Sequence, residues 1–362
     1  MPPVSVVLYG ATGYTGRLVA QELARRGLDR VLSGRDPEKL ARLADEHGVP
    51  VRAVSLDDPD GLRALLEDAR VVINCAGPFT LAGDALVRTA IETGTHYLDS
   101  TGEQSFIQMI FERHGADAER AGVALVPAAA FDYLPGDCIA RIAGEGHEPL
   151  DELVLAYAVS GFGLSRGTLR SGLEMMQGRD VVYTDGDWHP APAGIFRASF
   201  DFPEPIGRQA MSRYPSGEPI TVPRHTRTRR VVSLLTTSTA APGPAAHLMP
   251  YVQPGLQLAL RTPLRGLLGR AVGLLPEGPS ESARRGAAFT IVAVARGSGG
   301  STGRAVVRGS DVYGLTAVTL THAASLMADG GYSQAGALGP AAAFDPVALL
   351  DFLGDHGVSW ER

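Results

Sequence analysis

The feature that most narrows what this chain can fold into is a set of three glycines, Gly10-x-x-Gly13-x-x-Gly16, placed directly after the apolar residues 4–9. A short β-branched, apolar run bounded by glycine reads as a strand buried on both faces. Residues 17–26 then carry Leu18, Val19 and Leu23 at helical spacing and stop at Gly27, where the absence of a Cβ favours a helix end. Strand, glycine-rich turn and helix in that order form a cradle for a dinucleotide. The turn lets a pyrophosphate approach the backbone, and the helix N-terminus offers N–H donors. Gly10, Gly13 and Gly16 would admit the pyrophosphate, with Thr12, Tyr14 and Thr15 lining it. A tight turn with no ligand is the alternative reading.

The same alternation continues along the chain. Strands are expected at 30–33, 51–55, 69–75, 96–98 and 123–127, and helices at 37–47, 59–66, 83–93 and 104–121. Strands alternating with helices imply parallel pairing through right-handed crossovers. The fold class is therefore α/β, a Rossmann-type doubly wound parallel sheet. After about residue 130 alternating segments at 152–160, 222–237, 287–296 and 304–311 are separated by Gly/Pro-rich turns. They predict a second, α+β domain that is mostly antiparallel. Residues 251–275 are rich in Leu and punctuated by Arg261, Arg265 and Arg270. They read as one or two amphipathic helices, serving a dimer or core contact or a lid over an acyl chain. Helices at 313–327 and 345–356 close the chain.

At 362 residues the chain suits about two domains of roughly 150 residues each. The 33 basic and 39 acidic residues give a net charge of −6, which leaves no overall positive field for nucleic acid. Cys75 and Cys138 are the only cysteines, so neither a disulfide framework nor a Cys-rich zinc site is expected, and a reducing cytoplasm is the natural compartment. The opening Met-Pro-Pro-Val-Ser lacks a basic n-region, so no signal peptide is expected. No stretch reaches the ~20 apolar residues of an integral membrane segment. Histidines are scattered without ligand spacing, so no catalytic metal is expected. Lys39 is the only lysine and hence the only candidate for Schiff-base chemistry.

Several motifs fall where strands should end. Ser33-Gly34-Arg35-Asp36 closes the second strand. A carboxylate there suits the 2′-hydroxyl of NAD, whereas a cation and a hydroxyl suit the 2′-phosphate of NADP. Arg35 and Ser33 favour NADP(H), with Asp36 as a helix cap; the competing reading makes Asp36 the ribose acceptor and leaves Arg35 solvated, and Asp57 is a candidate to cap the adenine or a surface acid only. Asn74-Cys75-Ala76-Gly77-Pro78-Phe79 ends a core strand. Small residues such as Cys75, Gly77 and Pro78 let the backbone approach the cofactor, and Cys75 is expected to be a buried small residue rather than a nucleophile. His96-Tyr97-Leu98-Asp99-Ser100-Thr101-Gly102-Glu103 is a dense polar cluster. Tyr97, Asp99 and Glu103, with Tyr133 in Phe131-Asp132-Tyr133-Leu134-Pro135, are the candidate proton donors or substrate polarisers. Caps and loop order are the alternative for each. Arg224, His225, Arg227, Arg229 and Arg230 form a basic run on a strand-like segment. It reads as a solvated face or as a docking patch for an acidic carrier protein or a CoA phosphate.

These motifs, together with Gly34-Arg35-Asp36-Pro37-Glu38-Lys39-Leu40 and the tail elements Gly314-Leu315-Thr316-Ala317 and 339–344, resemble the saccharopine dehydrogenase-like oxidoreductases. Within them the chain is similar to the bacterial branch of trans-acting enoyl reductases. The G-x-x-G-x-x-G spacing is that of extended short-chain dehydrogenases and their relatives. The resemblance covers both ends and little of residues 180–285. It implies a Rossmann NADP domain at 1–130, a substrate and dimerisation domain at 131–312, and C-terminal helices at 313–362 packing back on the first. It implies hydride transfer from NADPH to an activated double bond, an enoyl group of an acyl or polyketide intermediate, with an imine as the alternative. A small-molecule or carrier-bound substrate, an acyl carrier protein and a second copy of the chain are the implied partners. An NADPH-binding sensor without turnover is the non-enzymatic alternative.

Overall fold

The computed structural model describes residues 4–176, 180–192, 196–240 and 264–362, with 255, 260 and 262. The chain separates into two units, Met1–Leu134 with Tyr313–Phe344, and Pro135–Val312 with Asp345–Arg362.

The first unit is built on a seven-stranded parallel sheet in the order β15-β6-β5-β4-β1-β2-β3. Its members are β1 (Val4–Tyr9), β2 (Arg30–Gly34), β3 (Val51–Ala53), β4 (Ala69–Asn74), β5 (His96–Asp99), β6 (Ala124–Val126) and β15 (Gly336–Ala337). The helices α1 (Tyr14–Arg25), α2 (Pro37–His47), α3 (Pro59–Leu66) and α4 (Phe79–Thr93) follow the first four strands. β1 pairs in register with β2 on one side and β4 on the other, Leu8 opposite both Leu32 and Ile73. All three side chains are fully buried, which is why these strands carry unbroken apolar runs instead of alternation. The chain order reverses between β1 and β4, so a crevice opens outside their carboxyl ends, the place where open α/β sheets bind ligands. α2 and α3 are capped by Asp36 and Asp58, which accept from the backbone N–H of Lys39 and Gly61. The expected helix over 104–121 is interrupted: α5 (Gln104–Met109) passes through a π-turn, Ile110–His114, into α6 (Gly115–Ala121).

The second unit carries a mixed sheet whose main path is β10-β11-β12-β7-β13-β14-β16, with β8 and β9 attached at β12. β7 (Leu150–Ser160), β13 (Ala288–Gly297) and β14 (Thr302–Ser310) form a long antiparallel ladder, and β12 (Val231–Thr236) runs parallel to β7. One face packs Ala156, Met211, Leu234, Val292 and Val306 into a core. The sequence reading missed the β8–β9 hairpin (Val181–Thr184, Asp187–Pro190) and the strands β10 (Ala198–Asp201) and β11 (Arg208–Arg213). Each is short and only half-buried, so its hydrophobic pattern is weak.

Three expectations are corrected. Residues 222–230 are not strand: a 3-10 turn, Val222–Arg224, and a loop precede β12. The last residues do not join the first sheet, because the helix Pro346–Gly354 and β16 (Ser359–Glu361) belong to the second unit and β16 pairs with β14. Of 251–275, a helix spans Leu264–Gly273, and most of 251–263 lies outside the described residues. Among the described residues no helix is long and apolar enough to cross a membrane.

Candidate functional site

The three glycines do different work. Gly10 sits at φ +83°, and a Cβ there would lie 2.8 Å from the Ala76 nitrogen, so the turn after β1 touches the loop after β4 directly. At Gly16 a Cβ would meet the Gly10 carbonyl oxygen at 2.1 Å, so α1 can only start this close to the strand without a side chain. Gly13 is exposed and would place a Cβ no nearer than 3.4 Å to that same oxygen. It caps α1 without a side-chain acceptor, and the first turn of the helix holds no acidic residue. A helix N-terminus with no side-chain cap and no acidic residue in its first turn favours an anion. Thr12, Tyr14 and Thr15 are half-buried around it. The Thr12 carbonyl accepts from Arg17 at 3.0 Å, and the Tyr14 ring meets Tyr313 edge-on at 5.0 Å.

At the tip of β2 Arg35 is exposed, with Gly34 against the Thr12 hydroxyl. Asp36 caps α2 and lies 3.8 Å from Lys39, which leaves Arg35 as the residue facing outward. Ser33 departs from expectation. It is fully buried and its hydroxyl donates to the Arg52 carbonyl at 2.8 Å, so it stitches β2 to β3 instead of meeting a ribose phosphate. Asp57 is exposed beyond β3. Tyr9, donating to Val54, has its pKa pushed up to about 12 by burial, against the pull of the Arg35 charge.

After β4 the Asn74 side chain folds its own loop, accepting from Ala76 N–H at 2.9 Å and donating to the Tyr97 hydroxyl at 3.1 Å. Gly77 is exposed and Pro78 caps α4 without an acceptor of its own. Cys75 is half-buried rather than fully buried, and desolvation pushes its thiol up to about 12, which disfavours the thiolate.

The polar cluster after β5 is wired inward. Glu103 is buried and its two oxygens accept from the N–H groups of Phe79 and Thr80 at 2.9 and 2.8 Å, so the carboxyl supplies the cap that Pro78 lacks. Asp99 accepts from Thr101 and Ala128 N–H at 2.9 and 2.8 Å, and its carbonyl takes the Ala129 N–H. Burial raises its pKa to about 7 despite those N–H bonds. Tyr97 is fully buried, and burial holds its phenol far above the usual range. Tyr133 is buried and donates to the Gly102 carbonyl at 3.2 Å. All four expected proton donors are buried and hydrogen-bonded to neighbouring loops, while one carboxyl oxygen of Asp99 has no hydrogen-bond partner. The structure brings Tyr97, Asp99 and Glu103 together with Asn74 and the 76–80 backbone, and Tyr133 joins them through Gly102.

Ala128 holds φ +59°, a left-handed conformation costly for a residue with a Cβ. Asp99 grips it from one side. From the helix Val312–Ala328, Thr319 donates to the Ala129 carbonyl at 2.8 Å and Thr316 accepts from Phe131 N–H at 3.3 Å. The resemblance implies that the helix from 313 packs back on the first domain but names no contact for Thr316 or Thr319, because nothing local shows that a tail helix closes a loop about 190 residues earlier.

The basic run lies beside carboxylates of the second unit. Arg227 lies near Glu148, Arg229 near Asp185 and Arg230 near Glu152. Arg224 stacks on Trp188. His225 is buried between Asp137 and Thr226, 3.0 Å from each. Arg227, Arg229 and Arg230 nevertheless stay largely exposed, so these pairings only partly offset the charge of the run. Beside it Tyr157 donates to Glu218, a fully buried carboxyl whose pKa burial raises to about 8. Among the described residues no cluster of three or more His, Cys, Asp or Glu could hold a metal ion.

Residues 6–126 match the family model of the saccharopine dehydrogenase NADP binding domain. A trans-acting enoyl reductase of Mycobacterium ulcerans is 34% identical over 139 residues, 36% of this chain and 33% of that one. A saccharopine dehydrogenase-like oxidoreductase of Mus musculus is 30% identical over 156 residues, 37% of this chain and 36% of that one. The chain thus spans less than half the length of the curated relatives it matches. Among solved structures, apo histidine-tagged saccharopine dehydrogenase (L-Glu forming) from Saccharomyces cerevisiae superposes with a TM-score of 0.62 at 14% identity, covering 98% of this chain and 99% of that one. That likeness shows the fold. The matched domain makes NADP(H) the cofactor of the first unit, and the uncapped α1, the open Gly13 and the outward Arg35 fit it.

Proposed function

We propose, from the premise that residues 6–126 match a saccharopine dehydrogenase NADP binding domain, that the chain is an NADPH-dependent reductase of an activated double bond. The observation that carries this reading is the crevice between β1 and β4. There an uncapped helix N-terminus and an exposed arginine await a phosphorylated dinucleotide. Bound NADPH supplies a hydride, and one proton completes the reduction. Gly10 and Gly13 let the pyrophosphate reach the first turn of α1, and Arg35 takes the 2′-phosphate as a charge-assisted pair. Asp57 lies at the adenine end. Cys75, Gly77 and Pro78 keep the wall after β4 low, and Asp99 and Glu103 fix the backbone that borders it.

The enoyl reading draws its support from the trans-acting enoyl reductase of Mycobacterium ulcerans. Its substrate would be an acyl or polyketide intermediate delivered by a separate carrier. The test is NADPH deuterated at the transferable position, incubated with a pool of enoyl thioesters and cyclic imines and read by mass spectrometry. Deuterium on a saturated acyl carbon is the expected result. Deuterium beside nitrogen replaces the enoyl substrate with an imine, and retained NADPH binding with no label anywhere overturns the reductase reading in favour of a sensor.

A further inference from the structure

Three of the six exposed large hydrophobic side chains among the described residues gather at one place in the second unit. Leu164 lies just before α8 (Arg166–Met175), and Leu274 and Leu275 follow the helix Leu264–Gly273. Their exposures are 46%, 89% and 47%. Arg166 ties the two segments together. Its N–H donates to the Glu277 carbonyl at 3.0 Å, and its guanidinium reaches the Gly273 carbonyl at 3.2 Å and the Glu277 carboxyl at 2.9 Å. The Arg170 guanidinium lies against Gly273, and Arg270 is exposed one turn before Leu274.

Charge is distributed to match. Between Glu218 and Glu277 the sequence contains no Asp or Glu, although the chain holds 39, while Arg261, Arg265 and Arg270 are spaced among its leucines. Glu277 is itself neutralised by Arg166. A chain of net charge −6 thus carries, among the described residues, an exposed Arg270 and a half-buried Arg170 beside these apolar tips. Such a face suits an interface where aliphatic groups enter the boundary between headgroups and acyl chains while guanidiniums stay at the phosphates. Three leucine tips are too small a surface for a stable protein partner, which needs about 800 Å² a side.

We infer that the Leu164, Leu274 and Leu275 apex, with Arg270 and Arg170 beside it, docks on the surface of an anionic lipid bilayer. No described helix is long enough to cross, so the contact is interfacial. Each arginine near an anionic surface strengthens binding roughly five-fold.

The test is flotation of the full chain with vesicles of phosphatidylcholine alone and of phosphatidylcholine mixed with phosphatidylglycerol. Association at least about ten-fold stronger with the anionic vesicles, weakened by salt, is expected. Leu274→Ser with Leu275→Ser should abolish it, and Arg270→Glu should weaken it, with NADPH affinity and melting temperature unchanged to show that the variants fold. Absence of wild-type binding, or equal binding to both vesicle types, overturns the proposal. So does a sedimenting dimer that the serine variant dissolves while vesicles are ignored, since a second copy would then cover the leucines.

Discussion

In the function proposed, cofactor choice turns on Arg35. A charge-assisted pair with a phosphate contributes about 1.5–3 kcal/mol, so Arg35→Ala should weaken NADPH roughly ten- to a hundred-fold and leave NADH nearly untouched. Fluorescence titration of both nucleotides reads this directly, and equal losses would remove the assignment. The sequence made Arg35 legible because it sits at a strand tip defined by pattern. Ser33, its neighbour, was misread, because sequence does not show that its hydroxyl turns to the Arg52 carbonyl. Tyr97, Asp99 and Glu103 were likewise found as a cluster, with caps and loop order as the alternative for each, and side-chain direction, not residue type, makes Glu103 a cap. Asp99 and Glu218 carry a second prediction. Burial lifts them from 3.8 to about 7 and from 4.5 to about 8. Between about pH 4 and pH 8 the folded chain then binds more protons than the unfolded one. Stability must fall as pH rises through that window, by on the order of 4 kcal/mol for each group. Denaturant melts at about pH 5 and about pH 8 should show the decline, and Asp99→Asn and Glu218→Gln should each flatten it.

At the scale of elements, the strand-turn-helix unit separates fold from ligand. Gly16→Ala drives a methyl into the Gly10 carbonyl and should cost about 1–3 kcal/mol or more of stability. Gly13→Ala meets nothing so close and should melt near the wild type, yet bind NADPH about ten-fold more weakly because the methyl stands over the open first turn. If both variants melt alike and bind alike, the division of labour between the glycines fails. The parallel sheet was legible because buried strands such as β1 and β4 are continuous apolar runs. The second sheet was legible only in its long ladder, β7, β13 and β14. Short half-buried strands such as β9, in which Trp188 alone is large and apolar, give no period to read. The break at Ile110–His114 left no mark either, because a π-turn keeps helical composition.

For the whole molecule, the chain crosses between its units three times, after Leu134, Val312 and Phe344. Unit boundaries near 134 and 312 were legible as a change of texture. The final crossing was not, since β16 is three residues of ordinary composition paired to β14 by backbone alone. A fragment spanning 1–134 would lack β15 and the grip of Thr316 and Thr319 on residues 129–131. It should show a broad, low-temperature melt by circular dichroism and bind NADPH at least about ten-fold more weakly than the full chain. A sharp, full-chain-like transition would count against this. The pairing of β15 with β6, Gly336 beside Ala124, also sets a schedule for synthesis. The ribosome delivers β1 to β6 first, yet β6 keeps a bare edge until Gly336 and Ala337, about 200 residues later, have been made. In the interval the nascent chain exposes a hydrogen-bonding edge to every neighbouring polypeptide.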